Sequence, residues 1–173
     1  RMCKIWDDVT LVDNAKNPES LTGKRREMRD RGERFLAIAR RIFVEEGYHA
    51  VTIDRIAHLA GFSKGTVYQR FACKEELLVE LAVRARRDMI DIMARIDELP
   101  LRPRERMVAV GYAVERYADL YSNSLRIMAV IEEQTVLDRV PPEQQERTKA
   151  LDMKLFKILA GIVRDAVEQG DLR

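Results

Sequence analysis

Apolar residues return at intervals of three and four along most of the chain, and no alternating stretch with turn chemistry suggests a strand. From about Met28 to Glu46, the positions Phe35, Ile38, Ala39, Ile42 and Phe43 recur at helical spacing, and Gly47 follows as a stop. Thr52 offers a side-chain oxygen to cap a second helix, and Asp54 in its first turn favours the positive helix end. Ile53, Ile56, Ala57 and Ala60 form the buried stripe of that helix. Gly61 closes it where a left-handed backbone costs least, and Ser63 caps a third helix whose Val67 and Phe71 face inward.

A fourth helix should begin near Lys74 or Glu75 and run to about Leu99, since no Gly or Pro interrupts it before Pro100. Leu77, Leu78, Leu81, Ala85, Met89, Ile92, Met93 and Ile96 give it an apolar side. Three more helices are expected over Glu105–Tyr121, Leu125–Leu137 and Glu143–Gln169, parted near Ser122-Asn123-Ser124 and at Pro141-Pro142. The predicted fold class is therefore all-α. Residues 1–23 show no sustained period and are set apart as an N-terminal extension; 24–74 form a first helical domain and 75–173 a second.

Composition agrees with this pattern. An apolar share of 46% and a charged share of 35% over 173 residues describe a soluble, charge-laced helical protein. The apolar stretches fall far short of the roughly 20 residues that a membrane span needs, so no membrane partner and a cytoplasmic address are expected. Cys3 and Cys73 have no CxxC spacing, and with His49 and His58 they form no metal-ligand pattern, so no metal is expected. No Ser/His/Asp or Cys/His cluster supports catalysis, and no cofactor is implied.

The net charge of +2 becomes informative once it is divided along the chain. Lys24 to Lys74 hold twelve Lys/Arg against six Asp/Glu, a local +6 that leaves −4 for the remainder. Such a concentration suits a polyanion partner, although a solvated charged face is the commoner cause of a charge excess alone. It coincides with a third helix whose Lys64, Thr66, Tyr68 and Gln69 are turned toward solvent. Lysine and the two hydroxyls can reach phosphate, and glutamine can read adenine in the major groove. Gly65 would let the backbone approach a sugar-phosphate chain closely.

Thr52 and Lys74, at the starts of the flanking helices, are placed for phosphate as well. Taken singly, Thr52 and Ser63 are more often simple caps and Tyr68 a core-edge tyrosine. Lys24, Arg25 and Arg26, with Arg29 and Arg31, read either as a basic arm ahead of the first helix or as a solvated helix start.

These residues carry a family likeness. Residues 28–80, including GYHAVTIDRIAHLAGFSKGTVYQRFACKEELL, resemble the N-terminal domain of the TetR family of transcriptional regulators. The resemblance implies a helix-turn-helix DNA-binding domain that engages double-stranded operator DNA as a homodimer. It places DNA contacts at Thr52, Ser63, Lys64, Gly65, Thr66, Tyr68 and Lys74. It also implies that the second domain binds an effector and dimerises, and that the effector releases the DNA. Tyr112, Tyr117, Tyr121 and Met128 are the candidate lining groups, and their character suggests a small hydrophobic or aromatic ligand, even though such stripes are more often core.

Family members would carry two further helices after Gly170-Asp171-Leu172 for the dimer interface, so either the chain is truncated or its last helices form an unusual interface. Where relatives often carry a Pro-Ser pair, this chain has Ala72-Cys73. Cys73 is either a thiol activated by Lys74 or an inert packing residue. The rival to a regulator is a helical adaptor that binds an acidic protein through the basic face.

Overall fold

The computed structural model describes residues 23–132 and 134–172, apart from the side chains of Lys24, Gln134 and Thr135. The expected N-terminal extension lies outside these residues except for Gly23, and so does the side chain of Lys24. The helices are α1 (Gly23–Glu46), α2 (Ile53–Ala60), α3 (Lys64–Tyr68), α4 (Lys74–Asp97), α5 (Pro103–Glu132), α6 (Gln134–Leu137) and α7 (Pro142–Glu168), with a 3-10 turn over Tyr48–Ala50. No strand occurs among the described residues.

Two expected boundaries differ. The first helix begins at Gly23 rather than near Met28, because the intervening Lys, Arg and Glu residues are good helix formers. Arg31 also reaches Glu27 one turn earlier, at 3.8 Å. Arg25 and Arg26 are thus exposed positions at the start of α1 and not an arm ahead of it. The break expected at Ser122-Asn123-Ser124 is a kink inside α5, centred on Tyr121 with φ −128° and ψ 33°. Ser and Asn weaken a helix by well under 1 kcal/mol each, too little to end one held by buried Tyr117 and Ile127 on either side.

The chain forms two compact units, and the division does not fall at residue 74. One unit comprises described residues 23–82 with 126–145, the other 83–125 with 146–172. The first unit takes in the start of α4 because Leu77, Leu78 and Val79 are buried there. It takes in 126–145 because that segment bonds to the same helix start: Arg139 Nη1 donates to Glu75 Oε1 at 3.0 Å and Gln144 Nε2 to Glu76 Oε1 at 3.2 Å. In addition, the Arg126 guanidinium lies 5.8 Å from the Phe43 ring centroid.

In the second unit, Met89, Ile92, Met93 and Ile96 of α4 pack with Ala113 and Tyr117 of α5, and Leu155, Ile158 and Leu159 of α7 close over them. Arg86 is buried in this unit at 2% exposure, its Nε donating to Asp152 Oδ1 at 2.6 Å.

Candidate nucleic-acid interface

The reading unit is assembled by local chemistry. Thr52 caps α2, its Oγ1 accepting from the Arg55 amide at 3.2 Å. Gly61 ends the helix with φ 72°, and two bonds complete the turn: the Gly61 amide donates to His58 O at 3.1 Å and the Phe62 amide to Ala57 O at 3.0 Å. That pair satisfies carbonyls the helix end would leave open, and the left-handed step needs a residue without Cβ. Ser63 then caps α3 by accepting from the Thr66 amide at 3.2 Å. Ile53, Ile56, Ala57 and Ala60 are buried, as are Val67 and Phe71, so the inner anchors hold as expected. Phe35 and Phe62 meet edge to face at 5.6 Å, joining α1 to the turn.

The outer face follows from those anchors. Tyr68 is 53% exposed, and Lys64, Gly65 and Gln69 are exposed beside it. Thr66 is half-buried, its Oγ1 2.9 Å from Ser63 Oγ, so the two hydroxyls share one hydrogen bond and keep further capacity. Lys64 Nζ bonds Asp54 Oδ2, an exposed pair that costs about 1 kcal/mol or less to open. A Cβ at Gly65 would meet nothing closer than Ser63 Oγ at 3.7 Å, so the fold itself does not demand glycine there.

Lys74 has an intramolecular setting that the pattern did not reveal. Its Nζ donates to Tyr48 O at 3.1 Å and lies 3.9 Å from the centroid of the Tyr48 ring. Burial lowers its pKa, opposed by the charge of Glu75. Tyr48 in turn donates from its hydroxyl to Glu75 Oε1 at 2.6 Å, and burial together with that bond pushes its pKa up to about 12. Burial works to raise the Glu75 carboxyl, but the hydrogen bonds from Tyr48, from its own amide and from Arg139 outweigh it and hold the carboxyl low.

The setting of Cys73 disfavours its thiolate. Burial pushes its pKa up, the charge of Glu75 adds to that, and Lys74 turns its ammonium to Tyr48.

A groove of about 190 Å³ opens beside α3, lined by Met28, Arg31 and Phe35 of α1 with Thr66, Gln69 and Arg70. Gly32 and Arg70 were not among the candidate contacts, and Arg31 was expected only as part of a basic arm, whereas it lies within α1; the available signal was a glycine amid good helix formers. The expected effector residues do not share one setting. Tyr117 is buried in the core and its hydroxyl donates to Ala85 O at 3.4 Å. Its ring lies against that of Tyr121, centroids 4.9 Å apart, whereas Tyr112 and Tyr121 are about half exposed. Met128 is half-buried in the unit that holds α3.

Comparison with known proteins agrees with this geometry. Residues 35–81 match the family described as bacterial regulatory proteins, tetR family. The chain is 28% identical over 139 residues to the HTH-type transcriptional regulator UidR of Escherichia coli K12, across 80% of this chain and 67% of that protein. It is 40% identical over 62 residues to the HTH-type transcriptional activator FasR of Mycolicibacterium smegmatis, across 36% of this chain and 28% of that one. The crystal structure of the TetR family regulator PfmR from Thermus thermophilus aligns with TM-score 0.67 and 28% identity, covering 81% of this chain and 74% of the other.

Proposed function

The chain belongs to the TetR family of transcriptional regulators, and from that premise we propose that it binds a palindromic operator as a homodimer and represses transcription until a small hydrophobic or aromatic effector releases it. The carrying observation is α3 itself. Its Ser63 cap and its Val67 and Phe71 anchors turn Lys64, Thr66, Tyr68 and Gln69 to solvent as one contact face, with Gly65 bare among them. Lys64 and the hydroxyls supply phosphate contacts and Gln69 an adenine contact, while Thr52 and the start of α4 at Lys74 offer flanking phosphate positions.

A helix of five residues reads few base pairs, so pairing two copies across a two-fold axis supplies the missing specificity. Arg25 and Arg26, fixed at the start of α1, add positive charge on the same unit. For release, the effector must bind the conformation that does not hold DNA more tightly than the one that does. Tyr112 and Tyr121, with aromatic surface free on α5, are the proposed contacts, while Tyr117 serves as core beneath Tyr121.

Incubation of the protein with random genomic fragments, followed by sequencing of what is retained, tests the reading. A recurring palindrome is the expected result, and retention without any enriched motif would defeat operator recognition. A metabolite that raises the melting temperature should also weaken binding to the recovered fragment. Transcription from that fragment, with and without the protein, gives the sign of regulation.

A further inference from the structure

Gly32 lies in the interior of the 24-residue helix α1, where glycine is less favourable than alanine. A Cβ built on it would stand 2.5 Å from Arg70 Nε, 3.1 Å from Cζ and 3.2 Å from Cδ. The guanidinium end of Arg70, which follows the reading helix, is therefore laid on bare helix backbone. Arg31 stands beside it in the groove that Thr66 and Gln69 also line. Arg31 Nε is buried without a hydrogen-bond partner among the described residues, and the carboxylate of Glu27 stands 3.8 Å away at the other end of the guanidinium. Among the described residues no carboxylate pairs with Arg70.

We infer that Arg31 and Arg70 form a clamp for a DNA phosphate at the edge of the reading helix, and that Gly32 is the seat that aims Arg70 into it. Two guanidinium groups, one on α1 and one in the turn after α3, line the same groove as the proposed base-reading side chains, and arginine's planar fork suits a phosphate oxygen pair. The inference rests on the DNA-binding reading above.

The test uses the full chain and a fragment recovered by genomic selection, with affinity measured across salt concentrations. Arg70→Gln should flatten the slope of log affinity against log salt by about 0.9, close to an eightfold loss at 0.1 M salt. Gly32→Ala keeps every charge, and the neighbour it displaces is the end of a flexible side chain. It should flatten the slope similarly while leaving the melting temperature unchanged or higher.

Failure of the unaltered protein to retain DNA would defeat the regulator reading itself. A steep slope kept by Arg70→Gln would overturn the clamp and leave that reading standing. A slope lost by Arg70→Gln but kept by Gly32→Ala would overturn the seat. Inorganic phosphate alone should not shift the melting temperature; a shift abolished by Arg70→Gln would assign the groove to free anions instead of DNA.

Discussion

Tyr48→Phe tests how the start of α4 is held. The substitution keeps the ring beneath the Lys74 ammonium and removes only the hydroxyl, which donates to Glu75 Oε1 at 2.6 Å. Glu75 is 4% exposed, so water does not readily replace the lost donor. A hydrogen bond to a charged group contributes about 1.5–3 kcal/mol, and Arg139, which still donates to the same oxygen at 3.0 Å, favours the lower half of that range. The expected loss is about 2 kcal/mol at pH 7, or a fall of roughly 4–8 °C in melting temperature for a chain of this size.

The pH dependence has a definite sign. Glu75 has a lowered folded pKa, so its contribution is complete above the ordinary glutamate value and vanishes as pH falls through the folded one. The difference between the two proteins should therefore shrink on acidification. Tyr48 is raised to about 12, so its contribution is complete below the ordinary tyrosine value and lost as pH climbs toward 12. Urea unfolding followed by far-ultraviolet circular dichroism at neutral and acidic pH measures the loss and its change on acidification. A loss below about 0.5 kcal/mol at pH 7, or a difference that grows on acidification, would refute the argument, since ordinary surface substitutions fall within that size.

Three further outcomes follow from the same geometry. Gly61→Ala should cost about 1–2 kcal/mol in urea unfolding, because no atom lies within 4 Å of its Cβ and only the left-handed backbone at φ 72° resists. Asp152→Ala should destabilise by about 2 kcal/mol and Arg86→Met by less, since the first strips a partner from a buried charge and the second removes the charge at similar volume; the reverse order would contradict this. Cys73 should react with a disulfide reagent at pH 8 more slowly than free cysteine, because its thiolate is disfavoured by burial, and Cys73→Ser should leave DNA affinity unchanged.

What the chain shows by itself is whatever depends on neighbours in sequence. Thr52 and Ser63 as caps, Gly61 as the left-handed stop and Val67 with Phe71 as inner anchors are set by bonds and spacings within a few residues. They sufficed for the helix class and for the exposed face of α3. The start of α1 was misplaced because charged helix formers extend a helix without showing an apolar period, and the kink at Tyr121 because weak propensities were set against packing that the pattern does not display.

The rest was decided by approach across long separations. Arg139 reaches Glu75 across 64 positions and Gln144 reaches Glu76 across 68, and such contacts explain why residues 126–145 belong with the reading unit. Arg70 comes to rest on Gly32 because the turn after α3 passes close enough to α1 for a missing Cβ to matter. Tyr117 goes inward while Tyr112 and Tyr121 stay outside, although all three look alike in sequence. Periodicity identifies a face, but which neighbour meets it is settled by packing, where a single methyl group or one paired charge determines the arrangement.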